Sequence, residues 1–325
     1  MKIRYETISL FVIFLLVLKA MLINSTFIPL PSAIEYAIEI VSFAYIAFIN
    51  LNKYAKSKKK LLIFFFLSIC TLYTGLVTNQ LVIFSSFLVL CLAQTIEDKD
   101  KIVKVIFKTL LIILFIHFIY FILQKNFSLT SDRTIRYSLG FEHFNTSSVY
   151  ALWCFCAYSY LNKNKKNKII LGQLLLIIIY LFTKTRTMII CSFILTIIYL
   201  LAEKRYIKKI VNLISKNIVL VVVILLYLLI FMHSNNILPT FINKIDQLVS
   251  YRLSFSVLAL EEYGITIIGQ KYDINSLPQL YINNSNLGDL TVDVTYIGFL
   301  YSYGAMYILL IILITRSIAK SNKNT

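Results

Sequence analysis

The chain has 325 residues, 59% of them hydrophobic and 14% charged, with a mean hydropathy of +0.79 and a net charge of +17. A soluble domain of this length has no use for so much apolar surface, and apolar runs near the ~20-residue bilayer length predict an all-α polytopic membrane protein, because lipid forces every spanning backbone to satisfy itself as helix. The positive charge is no argument for nucleic acid: its lysines cluster in short loops between apolar runs, where the cytoplasmic preference of Lys and Arg explains them.

The first apolar run follows Lys2 and Arg4 as a signal peptide would, but no A-x-A site comes after it. It reads as an uncleaved first helix. Ten spans fit, near residues 7–23, 33–51, 61–77, 81–96, 104–123, 144–161, 169–183, 187–202, 216–233 and 294–315. With both termini placed in the cytoplasm, the inner segments hold 23 Lys and Arg, the outer segments hold 8, and Lys19 lies within the first span. That bias sets the orientation. Residues 61–96 are too long for one crossing of a ~30 Å core, so a hairpin turning at Asn79 is expected. A second hairpin is expected at Thr183-Lys184-Thr185-Arg186-Thr187, since only two spans there keep both flanking Lys clusters inside. Its arms are short, which draws Lys184 and Arg186 below the outer surface. Charge at that depth calls for a polar cavity between helices or for snorkelling to head groups.

Two outer segments stand out from this single integral membrane domain spanning 1–325: 124–143 and the larger 234–293. Within the second, residues 240–262 read as an amphipathic helix with Ile242, Ile245, Leu248 and Val249 on its apolar stripe. Arg252 continues that stripe. The chain has 25 Lys and only 7 Arg, yet four Arg (Arg133, Arg136, Arg186, Arg252) fall in outer segments. Arg is a planar fork that grips phosphate in bidentate fashion, so the outer face is expected to handle an anionic head group or a phosphorylated substrate.

The densest polar cluster, Asp132 to Thr146, leads into the sixth span. Gly140 offers a turn, Asn145 a helix cap, and a helix N-terminus favours anions. Arg133 and Arg136 share a face if the segment is helical, and Glu142 or His143 can act as a base. His117 and His233 read as structural. The five cysteines lie in apolar runs without a C-x-x-C and read as buried hydrophobes. Three scattered histidines make no zinc site, and there is no HExxH, P-loop, GxSxG or GxGxxG before a helix, which counts against the common proteases, ATPases and hydrolases. No metal and no cofactor are expected.

Arg136-Tyr-Ser-Leu-Gly-Phe-Glu-His143-Phe-Asn145 resembles the R-x-S-L-G-F-x-H-P-N stretch of Wzy-type polysaccharide polymerases of the capsule, exopolysaccharide and O-antigen pathways. Thr183-Lys-Thr-Arg186-Thr resembles their short outer turn. Arg252 followed by Tyr263-Gly264-Ile-Thr-Ile-Ile-Gly269 resembles their long outer loop. Asp293-Val-Thr-Tyr296 followed by Tyr303-Gly304 resembles the D-x-x-Y…Y-G at their last helix. The likeness runs in order over residues 100–315. It departs at Phe144, where the family has Pro, and in lacking a Trp soon after Arg252.

The resemblance implies a multi-pass protein of the bacterial cytoplasmic membrane, working on undecaprenyl-diphosphate-linked glycan beside membrane lipid, with a chain-length co-polymerase and a flippase as partners. It implies transfer of a lipid-linked glycan to the terminal sugar hydroxyl of another lipid-linked repeat unit, with the lipid diphosphate leaving. On it, Arg136, Arg186 and Arg252 converge on the diphosphate with Arg133 as helper. His143 is the preferred base and Glu142 the reserve, and Asp293 orients His143 or an acceptor hydroxyl. Asn145, Lys184 and Tyr296 complete the substrate-binding residues. The rivals are an O-antigen ligase, a lipid-linked oligosaccharide flippase or other transporter, and a non-enzymatic scaffold. Transport calls for ionisable residues deep within several spans, and Lys19, Glu39 and His117 are few.

Overall fold

The computed structural model describes residues 2–54, 57–78, 81–124, 136–201, 205–248, 252–270, 300, 303–313 and 316. Their regular structure is all helical, with no strand among them and a single isolated bridge between Ser25 and Phe141. The helices are α1 Lys2–Leu22, α2 Ser32–Tyr54, α3 Lys58–Val77, α4 Val82–Ala93, α5 Lys99–Gln124, α6 Phe144–Leu161, α7 Lys166–Thr183, α8 Arg186–Leu201, α9 Arg205–Ser234, α10 Pro239–Leu248 and α11 Arg252–Tyr263. A last helical stretch covers Tyr303–Leu313.

Among the described residues, five helical segments are long and apolar enough to cross a membrane: Tyr5–Leu22, Ser32–Asn52, Lys99–Leu123, Lys166–Thr183 and Asn217–Ser234. The apolar helices Leu61–Val77, Ile83–Ala93, Arg186–Leu201 and Tyr303–Leu313 are shorter. Large apolar side chains such as Ile40, Leu62, Phe115 and Leu123 are exposed along these helices, as a lipid-facing surface requires. Of the expected tenth span, only residue 300 and residues 303–313 are described.

The chain divides into two compact units. The first comprises Met1–Phe64 and Ser85–Lys204. Here α5 packs on α1 and α6, and α7 packs on α6 and α8. Met21, Leu110, Phe141, Tyr150 and Cys154 form one apolar cluster, and Ala151, Phe155, Ile169, Leu176 and Met188 form another. Gly172 lets α7 approach α6, since a Cβ there would lie 3.0 Å from Phe155 and Tyr158. Lys19 is buried and bonds Glu39 of α2, with Ser85 of α4 at 3.0 Å and Glu35 at 3.4 Å. Ser85 also donates to Glu39.

The second unit comprises Phe65–Phe84 and Arg205–Thr325. Its helix α9 begins at Arg205 rather than near residue 216, so a lysine-rich first part precedes the apolar window Asn217–Ser234. Ile230, Ile242, Leu253 and Ala259 pack α9, α10 and α11 together. Gly304 has φ +80, and a Cβ there would lie 2.6 Å from the Ile267 carbonyl oxygen, so the chain accepts only glycine at this crossing.

The single amphipathic helix expected over 240–262 is instead two. Ile242 is buried and Ile245 half-buried in α10, as the stripe required. Arg252, however, opens α11. The reason is Asp246, whose Oδ1 accepts from the backbone N–H of Leu253 at 2.8 Å and of Ser254 at 3.3 Å. Those are the donors that a new helix leaves unsatisfied at its start. The stripe therefore gives no orientation for Arg252.

Candidate functional site

One end of the first unit gathers the α1–α2 connection, the last turns of α5, the lead-in to α6 and the α7–α8 turn. Ser25 starts the assembly. Its Oγ accepts from the N–H groups of Phe27 and Ile28 at 3.2 and 3.0 Å, which tightens the chain after α1. Thr26 donates through its N–H (3.1 Å) and its hydroxyl (2.9 Å) to the Gly140 carbonyl, and Glu142 N–H donates to the Asn24 carbonyl at 3.0 Å.

His117 of α5 supports this junction from beneath. Its Nδ1 lies 2.9 Å from the Ile113 carbonyl and its Nε2 lies 2.7 Å from Ser25 Oγ. A carbonyl only accepts, so Nδ1 carries the proton and Nε2 accepts from the serine hydroxyl. The ring stacks on Phe141, centroids 4.2 Å apart at 5°. Leu139 (φ 52) and Gly140 (φ 84) turn the chain over the imidazole, and a Cβ at Gly140 would approach the His117 carbonyl oxygen to 3.2 Å.

The same lead-in joins the second hairpin. Tyr137 N–H donates to the Phe182 carbonyl at 3.1 Å, and Ser148 Oγ lies 2.9 Å from Thr185 Oγ1. Lys184 turns the chain with φ 53, and α8 begins at Arg186. The expected turn at 183–187 is thus present. Lys184 and Arg186 are both exposed, and neither side chain has a partner among the described residues. Arg136 is half-buried, its guanidinium 4.7 Å from the centre of the Phe144 ring. It lies in irregular chain rather than helix, and Arg133 lies outside the described residues.

His143, not Asn145, caps α6. Its backbone is extended (φ −136, ψ 144), and its Nδ1 accepts from the Asn145 N–H at 3.1 Å. Asn145 sits in the first turn, because the ring of His143 packs on Phe144 at 4.1 Å and so reaches the next free N–H. With the Nδ1 lone pair engaged, the neutral ring carries its proton on Nε2 and acts there as a donor. Glu142 is exposed beside it, and its carboxylate has no partner among the described residues.

The structure therefore brings together Arg136, Glu142, His143, Asn145, Lys184 and Arg186. Arg252 lies in the second unit, at the first position of α11. Asp293 and Tyr296 lie outside the described residues. Sequence reasoning missed the part played by Ser25, Thr26 and His117. The signal for it is weak: a histidine near the end of an apolar helix and a short Asn-Ser-Thr connection after α1. Among the described residues no group of three or more His, Cys, Asp or Glu is placed to hold a metal ion. Chemically, this end of the unit offers two exposed cations, a stacked guanidinium, an imidazole donor, the N-terminus of α6 and a carboxylate. That set has the chemistry to hold a polyanion and leaves one group able to take a proton. No family model, curated protein or solved structure matches the chain.

Proposed function

We propose that the chain is a polysaccharide polymerase of the bacterial cytoplasmic membrane, with ten spans, both termini in the cytoplasm and the α6-leading end of the first unit outside. The donor is a glycan on undecaprenyl diphosphate and the acceptor a lipid-linked repeat unit. The acceptor hydroxyl oxygen attacks C1 of the donor sugar, the C1–O bond to the diphosphate breaks, the hydroxyl proton passes to a base, and the lipid diphosphate leaves. The observation that carries this reading is the tying of residues 136–148 to the α7–α8 turn by the Tyr137–Phe182 and Ser148–Thr185 hydrogen bonds. It draws Arg136, His143, Lys184 and Arg186 from distant stretches of chain to one end of the unit.

The leaving diphosphate gathers charge as the bond breaks. Each charge-assisted hydrogen bond to it is worth about 1.5–3 kcal/mol, and loss of one preorganised donor to a transition-state oxyanion slows such reactions by roughly 10²–10³. Arg136 and Arg186 supply forks, Lys184 a point charge, and His143 an Nε2–H donor. The resemblance, and no contact, assigns Arg252 to the diphosphate and Asp293 and Tyr296 to the acceptor. Chain-length control is assigned to a separate co-polymerase. The proton acceptor of this unit is Glu142 rather than His143, whose Nδ1 is committed to the helix cap.

The test is the lipid-linked glycan profile of a deletion strain. A polymerase leaves single repeat units on lipid, and a ligase leaves long chains on lipid. A profile unchanged from the parent contradicts both. A transporter is the second reading, favoured by the buried Lys19–Glu39–Ser85 group, in which Glu39 Oε2 accepts no hydrogen bond among the described residues. Single repeat units retained on the cytoplasmic leaflet would select it.

A further inference from the structure

The first unit holds a buried charged group that the candidate site does not use. Lys19 of α1 is 1% exposed and Glu39 of α2 is 3% exposed, and they lie inside the apolar windows Tyr5–Leu22 and Ser32–Asn52. The Lys19 ammonium serves three oxygens: Glu39 Oε1, Ser85 Oγ at 3.0 Å and Glu35 Oε1 at 3.4 Å. Ser85 donates its own hydroxyl proton to Glu39 Oε1. That oxygen therefore accepts twice. Glu39 Oε2 is buried as well, and it accepts nothing among the described residues.

Charge and hydrogen bonding both fail to close in this group. One ammonium faces two carboxylates, so the group carries one negative charge in excess when all three are ionised. A pair that only joins helices needs a single carboxylate. Uncompensated charge within an apolar span is expensive and marks a site of exchange. Neighbouring elements bring no counter-charge: among the described residues Lys19, Glu35 and Glu39 meet only one another and Ser85. Near the same turn, α6 contributes the Tyr150 hydroxyl, which donates to the Ala20 carbonyl, and α5 contributes His117, engaged with Ile113 and Ser25. The ammonium already stands between the two carboxylates, where a metal cation would have to sit. A proton needs no such space. Glu35, in the first turn of α2 with its side chain 22% exposed, gives the route in, one helical turn from Glu39.

We propose that this group binds one exchangeable proton, which enters through Glu35 and rests on Glu39 Oε2. With the proton bound, Glu39 is a neutral acid, Lys19 balances Glu35, and the group has no net charge. When the proton leaves to water through Glu35, Lys19 balances Glu39 and Glu35 carries the excess. The exchange takes place close to the chain leading into α6, since Asn24 and Thr26, a turn or two beyond Lys19, bond Glu142 and Gly140. The inference does not rest on the polymerase reading.

The experiment uses the full chain purified in detergent. Infrared difference spectra are recorded as pH is raised, for the wild type, Glu39→Gln and Glu35→Gln. The expected wild-type signal is the loss of one protonated-carboxyl C=O band with the gain of a carboxylate band. Glu39→Gln copies the neutral, proton-bound form, so it is expected to fold normally and to lack this change. Glu35→Gln is expected to lack it too, because Lys19 then balances Glu39 permanently. Thermal unfolding gives a second readout. A folded state that holds a proton released on unfolding loses stability as pH rises, so the wild-type unfolding temperature falls with pH relative to that of Glu39→Gln. A wild type without the band change overturns the inference, as does a change that persists in Glu39→Gln. Sodium at constant ionic strength that raises the unfolding temperature of the wild type but not of Glu39→Gln would identify a metal cation instead, and would overturn it as well.

Discussion

Lys19 lies 1% exposed among Glu39, Glu35 and Ser85, whereas Lys184 and Arg186 stand exposed with no partner for their side chains among the described residues. Both sets belong to the first unit. The ammonium of Lys19 is neutralised by its own neighbours, so it holds α1, α2 and α4 together. The turn cations have no counter-charge among the described residues. Position along the sequence does not separate the two sets, since all three residues lie at or near the ends of apolar helices. Partnership does. A charge satisfied within the fold reports on folding, and one held in place without a counter-charge reports on a ligand.

The comparison is broken most forcefully at Lys19. Replacing it by Met strands the buried Glu39 carboxylate and costs about 3–5 kcal/mol, read as a lower unfolding temperature of the detergent-solubilised protein. Replacing Lys19 and Glu39 together by Met recovers most of that loss, because a well-packed apolar pair substitutes for a buried ion pair. A double variant as unstable as the single one would mean that the group does more than join helices. At the other end of the unit, Gly140→Ala forces a Cβ toward the His117 carbonyl at a positive φ, for a loss of at least about 1 kcal/mol. That loss lowers the unfolding temperature together with the polymer yield. Ser148→Ala removes the hydroxyl contact to Thr185 and costs about 1 kcal/mol. Its effect on polymer is expected to exceed its effect on stability, since the bond ties the cation-bearing turn to α6. The smallest stability change belongs to His143→Asn. Asn is a preferred N-cap, so stability stays within about 0.5 kcal/mol of wild type, while polymer falls because the Nε2–H donor is gone.

Much of this fold is legible in the sequence for simple physical reasons. Residues 144–161 read as one helical segment because an apolar run follows a glycine turn, and α6 occupies that range, although it is not among the five segments long and apolar enough to cross a membrane. The turn at Lys184 was readable from the expectation that the flanking Lys clusters share one side of the membrane. The start of a new helix at Arg252 was not, because the apolar spacing of 242–249 gives no sign of it. Only the tertiary reach of Asp246 back to Leu253 and Ser254 shows that α11 begins anew. The cap of α6 was misplaced by two residues, since Asn is the better intrinsic cap and nothing local reveals that the His143 ring lies over Phe144. Pairing of Lys19 with Glu39 was within reach. Two helices joined by a short connection run antiparallel, so opposite charges set back about one to two turns from it face each other.

The central claim is that guanidinium forks at the α7–α8 turn and on residue 136 grip the diphosphate of a lipid-linked glycan. Arg186→Lys and Arg136→Lys test it most directly, since each keeps the charge and removes the fork. The measurement is the lipid-linked glycan profile of the deletion strain carrying each variant at normal membrane levels. Single repeat units on lipid, with polymer down by roughly 10²-fold or more, are the expected result. Full-length polymer at wild-type amounts in both variants would contradict the account.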